Sequence, residues 1–193
     1  MYNVGKKAEM GIGTLILFIA MILVAAIAAG VLIQTATNLQ SKALETGSRS
    51  TRQVSTAVTT VLLYGEDGSA GKINDLYHNI KIVPGSDSIK LNDTLVSIDV
   101  SNQSADLVYD STAACTAGVA AGKFASRYLK NGTEHVNGYV AVGDVVQLCY
   151  ALPRAVSEDE SIRVSVVPKV GSVMTIRVIT PPAIISKRVF LYP

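Results

Sequence analysis

The chain has 193 residues, 49% of them hydrophobic and 17% charged, with a formal net charge of +2. That length suits one compact domain with an appendage. So small a charge, with Lys and Arg scattered and never interleaved with aromatics, argues against nucleic acid as a partner, and two cysteines with two histidines leave little material for a metal cage.

Residues 1–8 read MYNVGKKA and lead into Glu9, Met10 and GIGTLILFIAMILVAAIAAGVLI. From Ile12 to Ile33 no residue is charged, and Thr14 is the polar exception. A hydrocarbon core asks for about 20 apolar residues in a helix, so the run predicts membrane insertion at some stage. Lys6 and Lys7 just before it predict a cytoplasmic N-terminus. An ordinary cleaved secretory signal has a shorter apolar region followed by a small-residue cleavage site; here the run continues into a helical pattern instead.

After Glu9 the next charge is Lys42. As a single helix, Met10 to Ser41 would be roughly 48 Å long, well beyond a hydrocarbon core of about 30 Å. Apolar residues recur through the polar but uncharged stretch at Ile33, Ala36, Leu39 and Ala43, and again at Val54, Ala57, Val58, Val61 and Leu62. This spacing predicts one helix from about Gly11 to Leu63, with Gly47 as its candidate kink, inside a segment spanning 9–63. Ala20, Ala25, Ala26, Ala28, Ala29 and Gly30 make its surface slim, which lets neighbouring helices approach closely. Two readings stand on these residues alone: a helix built to be surrounded by copies of itself, or a single-pass anchor with an amphipathic stalk.

Residues 64–71 (YGEDGSAG) are rich in helix and strand breakers and read as a hinge. Beyond it, over 72–193, short β-branched stretches alternate with Gly, Pro, Asn and Asp. Strands are expected near Leu76–Val83, Thr94–Ser101, Asp106–Tyr109, Gly138–Val142, Asp144–Leu152, Ser161–Pro168, Val173–Thr180 and Arg188–Leu191. Thr112–Arg127 reads equally as loop or short helix. Short strands at this spacing point to an α+β chain whose head is an immunoglobulin-like β-sandwich.

Three glycosylation sequons begin at Asn92, Asn102 and Asn131, each in a predicted turn or strand end. Turn chemistry also accounts for Asn at such places. In an extracellular head, Cys115 and Cys149 read either as one disulfide or as two buried thiols. Glu158, Asp159 and Glu160 read as a solvated turn ahead of a cation loop, and His78 and His135 as surface strand residues ahead of ligands. No phosphate loop, Ser/His/Asp arrangement or paired metal-spaced histidines occur, so no catalytic residue, metal or cofactor is assigned.

Residues 6–40, KKAEMGIGTLILFIAMILVAAIAAGVLIQTATNLQ, closely resemble the N-terminus of archaellins, the archaeal flagellins of the type IV pilin-like class. VGDVVQL (Val142–Leu148) and the terminal FLYP (Phe190–Pro193) resemble archaellin C-terminal sequence more loosely. The resemblance implies a leader peptide, residues 1–8, cut between Ala8 and Glu9 by a prepilin-type peptidase. Lys6 and Lys7 would be the recognised basic pair and Gly11 the third mature residue. Ala8 stands where the family pattern has Gly. Cutting after Gly5 is the alternative, and it would draw two lysines into an apolar core.

The resemblance further implies a sandwich head, N-glycans and a non-enzymatic role. The chain would enter the membrane as a precursor, meet the archaellum assembly machinery, and polymerise outside the cell into a swimming filament, alone or with related subunits. The rival readings are a subunit of a non-rotating adhesive pilus and a membrane-tethered extracellular binding module.

Overall fold

The computed structural model describes residues 4–66, 71–115 and 119–193, with side chains in the first helix from Met10 onward. The chain divides into two compact units, one ending at Arg49 and the other Ser50–Pro193.

The described residues of the first unit are all helical. Helix α1 runs Val4–Ser55, unbroken through Gly47, and its last residues belong to the second unit. The stretch has no proline and is dense in Ala, Leu, Ile and Met, most of them good helix formers. A helix also pairs its backbone groups within the segment, which an apolar surrounding demands.

α1 stops eight residues short of the expected Leu63, at Ser55. The apolar spacing at Val54, Ala57, Val58 and Val61 is compatible with a helix, but Val58, Thr59, Thr60 and Val61 form a β-branched run. Such side chains lose rotamer freedom in a helix and pack well in a strand. They form strand β1, Val58–Glu66. The helix end is closed by hydrogen bonds: the Ser55 carbonyl accepts from Ser86 Oγ at 3.0 Å, and Thr56 O accepts from Ser172 N at 2.9 Å. Gln53 Nε2 donates to Gly171 O at 2.9 Å. Gly171 has φ +118°, and a Cβ there would lie 2.7 Å from Thr56 O, so only glycine fits this approach.

The remaining strands are β2 (Ile73–Ile82), β3 (Ile89–Lys90), β4 (Thr94–Val100), β5 (Gln103–Tyr109), β6 (Lys123–Lys130), β7 (Tyr139–Val140), β8 (Val145–Val156), β9 (Ser161–Pro168), β10 (Met174–Ile179) and β11 (Arg188–Tyr192). The expected hinge is therefore partly strand. Tyr64, Gly65 and Glu66 pair with both β2 and β11, and 67–70 lie outside the described residues. Thr112–Arg127 contributes the start of β6, a strand that alanine-rich flanks concealed.

Nine strands are hydrogen-bonded in the order β10-β9-β4-β5-β6-β8-β2-β1-β11, and β3 pairs with β7 alone. The nine-stranded sheet is mixed. Among the described residues its strands pair in parallel between β5 and β6, at Val108↔Lys123 and Tyr109↔Phe124.

Alternation along the strands puts one side of each into a shared core. From β4 and β9 come Val96, Ile98, Val100, Ile162, Val164 and Val166; from β2, β6 and β8 come Leu76, Ile80, Phe124, Leu148 and Tyr150. Thr60 Oγ1 of β1 also reaches Met174 Sδ of β10 at 3.3 Å, although these strands stand near opposite ends of the order. A second, smaller cluster of Tyr64, Tyr77, Cys115, Val119, Ala125 and Cys149 lies on the other side of β1, β2, β6 and β8.

Candidate polymerisation surface and head sites

In α1, residues 10–49 are exposed throughout. Leu17, Leu32 and Leu39 are 71%, 68% and 69% exposed, values that mark an apolar surface left open among the described residues. The hydroxyls within this surface are satisfied internally. Thr14 donates to Gly11 O, Thr35 to Leu32 O and Thr37 to Gln34 O, each at 2.9 Å. Apolar residues occupy the helix to Ile33, uncharged polar ones follow, and charge begins at Lys42, with Glu45 and Arg49 paired at 2.7 Å. Met10–Ser55 is long and apolar enough to cross a membrane. Its exposed apolar area far exceeds the patches usual on soluble monomers, and such area marks an interaction surface. Of the expected leader-cleavage residues, Gly11 is exposed on the helix, while the side chains of Lys6, Lys7, Ala8 and Glu9 lie outside those described.

The three sequon asparagines are all exposed. Asn92 sits in a single 3-10 turn, Leu91–Asp93, and the hydroxyl two residues on, Thr94 Oγ1, is buried and donates to Lys90 O at 2.9 Å. Asn102 lies in the tight β4–β5 turn with Ser104 exposed. Asn131 follows β6, with Thr133 exposed.

The Asn131 loop is held from beneath by Asp144, whose side chain is fully buried. Asp144 accepts from Gly132 N at 2.6 Å and Ala141 N at 3.0 Å, and His135 Nδ1 lies 3.4 Å away. Burial pushes this carboxyl up, but the two backbone N–H groups and His135 outweigh it and hold the carboxyl below its usual range. A Cβ on Gly132 would meet Val142 O at 2.5 Å, so the clamp requires glycine there. In the sequence this clamp is marked by little more than the Gly143-Asp144 pair inside VGDVVQL.

Cys115 and Cys149 form a disulfide, with Cα atoms 5.4 Å apart. It belongs to the smaller cluster, where Tyr64 stacks on Tyr77 at 5.1 Å and Arg188 lies 4.7 Å above the Tyr64 ring while pairing with Glu66. Gln147 binds this layer together. Its Nε2 donates to Tyr64 Oη at 2.8 Å and Asn79 Oδ1 at 3.0 Å, and its Oε1 accepts from Arg127 at 2.6 Å. No sequence signal marks such a network, because polar residues alternating on a strand look solvated.

Neither histidine is a surface strand residue. His78 is fully buried in β2, with Nε2 2.9 Å from Thr60 Oγ1 and Nδ1 3.4 Å from Tyr150 Oη. Burial lowers its pKa to about 3, so the ring is neutral. Its even position in β2, in step with Leu76 and Ile80, put it on the core side. His135 lies in the Asn131 loop, edge-on to Tyr128 at 4.4 Å. The acidic triplet is used structurally. Glu158 accepts from Ile184 N at 2.9 Å and Glu160 pairs with Arg154 at 2.7 Å.

A family described as archaeal-type flagellin matches residues 8–178, which takes in the apolar helix and all of the head through β10. The chain belongs to the archaeal-type flagellins. Among its relatives are Flagellin B1 of Thermoplasma volcanium, 48% identical over 109 residues (54% of this chain, 44% of the relative), and Flagellin B2 of Methanocaldococcus jannaschii, 48% identical over 110 residues (56% and 50%). The matched stretch thus spans about half the length of these curated relatives. The flagellin fold is shared with two solved structures. The archaeal flagellum of Methanospirillum hungatei strain JF1 has a TM-score of 0.70 at 16% identity, over 94% of this chain and 99% of that one. The crystal structure of archaeal flagellin FlaB1 from Methanocaldococcus jannaschii has a TM-score of 0.62 at 18% identity, over 70% and 96%.

Proposed function

We propose that this flagellin is a structural, non-enzymatic subunit that polymerises into an archaellum filament for swimming. The observation that carries the reading is the apolar surface of α1, exposed over residues 10–49. A membrane can hold it temporarily, since lipid is as apolar as leucine, but lasting helix association in an apolar medium comes from close packing. Slim residues such as Ala25, Ala26, Ala29 and Gly30 favour that packing. In the filament, α1 helices bundle in the core and the heads form the outer wall, outside the cell.

The precursor is inserted in the cell membrane, cut between Ala8 and Glu9 by a prepilin-type peptidase, and handed to the archaellum assembly machinery. Cleavage there removes Lys6 and Lys7 from the end of the apolar rod, which would be costly to bury. The head is a β-sandwich of immunoglobulin-like type. Support comes from the main core, to which β4 and β9 contribute together with β2, β6 and β8. Asn102 and Asn131 are the leading glycan sites. Asn92 is accessible to modification chiefly before Thr94 is buried.

Electron cryomicroscopy of sheared surface filaments, with mass spectrometry of their subunit, tests this reading. Filaments built from this chain with Glu9 as first residue are expected. A protein recovered only as a membrane-embedded monomer with Met1 intact would overturn it.

A further inference from the structure

Ile185 is 90% exposed, and the structure holds it out. Pro181 and Pro182 stiffen the segment before it. Ile184 beside it is buried, and Glu158 Oε1 accepts from Ile184 N at 2.9 Å. The turn beneath is fixed as well: Thr180 Oγ1 donates to Ser157 O at 2.7 Å and accepts from Glu160 N at 2.8 Å. Asp159, exposed in this turn, has no ion pair among the described residues. An aliphatic side chain held in water next to an unpaired carboxylate is ready to fill a pocket, because little ordering is left to do on binding.

The other end of the head offers such a pocket. A cleft of about 360 Å³ opens where β4 begins and β9 ends, lined in part by the apolar Ile89 and Val170 and by the cations Arg52, Lys90 and Lys169. Arg52 pairs with Asp87 at 3.3 Å and Lys169 with Asp93 at 3.6 Å. Lys90 is exposed and has no ion pair among the described residues. Strand β9 runs from Ser161, which pairs with Ile179 near the knob, to Pro168 at the cleft. At strand rise its ends lie roughly 23 Å apart, so a chain cannot fill its own cleft. We infer that Ile185 of one copy seats in this cleft on a neighbouring copy, with Asp159 facing Lys90. A knob and a hole at different places on one subunit make a heterologous contact, which repeats without closing and extends a helical filament. Burial of Ile185 supplies the attraction. The charge pair, worth little in energy at a surface, fixes the orientation.

The inference rests on the filament reading, and full-length chains test it. I185C/V170C puts one thiol on the knob and one in the cleft, too far apart within a chain for a disulfide. Oxidised filaments of this variant are expected to run as a ladder of covalent multimers without reductant, and filaments of either single variant as monomer. Filaments of the double variant that give no ladder overturn the docking. In the same assay Lys90→Glu should cut the ladder by about threefold, and Asp159→Lys added to it should restore the yield; no restoration overturns the charge pair. Should the cysteine variant not assemble, electron cryomicroscopy of wild-type filaments decides. Ile185 against Val170 of a neighbouring copy supports the docking, and Ile185 in solvent overturns it. Wild-type chain absent from filaments would instead overturn the function proposed above.

Discussion

Leu148 in the head and Leu23 in the helix are the same residue type, yet the first is 0% exposed and the second 58%. The head meets most of its demand for apolar burial from its own chain: the strands enclose a shared core, and even His78 and Asp144 are enclosed with partners. Over residues 10–49, α1 meets none of that demand internally. Burial of one large aliphatic side chain stabilises by about 1.5–3 kcal/mol, a gain the head takes internally and the helix leaves open to a partner. The unit that encloses its own core and the unit that drives assembly are distinct, and substitutions should sort between them.

The largest effect is expected from Leu23→Lys. A lysine in the middle of an apolar helix costs about 2.5–3.5 kcal/mol on insertion scales, and the cost recurs in every subunit. Electron microscopy should show no filaments, while circular dichroism shows the β-rich head melting as in the parent; normal filaments would break the comparison. Phe124→Ala should do the reverse. Phe124 is 0% exposed in the main core, and its loss should lower head stability by about 3–5 kcal/mol in urea titrations, with helix content in detergent unchanged.

Reduction of the Cys115–Cys149 disulfide comes next. The bond spans a sequence separation of 34, and opening it should cost about 3–4 kcal/mol in the chain-entropy model. Since the bond sits in the smaller cluster, the reduced head should stay folded with its main core intact, as amide hydrogen exchange would report.

The finest test is pH. His78 titrates at 6.5 in an unfolded chain and at about 3 when folded. Between those values the unfolded chain holds a proton that the folded head refuses, so stability is lost as pH falls below 6.5. The slope is at most about 1.4 kcal/mol per pH unit, or about 2 kcal/mol by pH 5. Asp144 adds to the loss only nearer its ordinary 3.8 and below, so melting curves between pH 7 and 5 should isolate the histidine. His78→Gln should flatten them.

How far the sequence could be read depended on what each residue's neighbours are. The apolar rod was legible because its composition alone excludes water, and β9 was legible end to end, Ser161–Pro168, because its alternation is clean. The helix end was not, since Val54, Ala57, Val58 and Val61 fit a helical period while the β-branched run they enter prefers a strand. β6 hid beside an alanine-rich stretch, and its pairing with β8 is set by residues more than a dozen positions away. His78 looked like a surface residue because its enclosure depends on Thr60 and Tyr150, on strands remote in the chain. Local pattern reports local preference; a buried polar group is defined by distant partners.

The grip on the loop that carries Asn131 falls almost wholly on main-chain atoms. Asp144 takes the N–H groups of Gly132 and Ala141, and Tyr128 Oη bridges Gly138 N and Tyr139 O at 2.8 Å each. Apart from Gly132 and His135, the identities from 132 to 137 are therefore scarcely constrained by the domain's stability. This stretch can drift over generations, altering what the outside world encounters on the fibre, while its contour stays put.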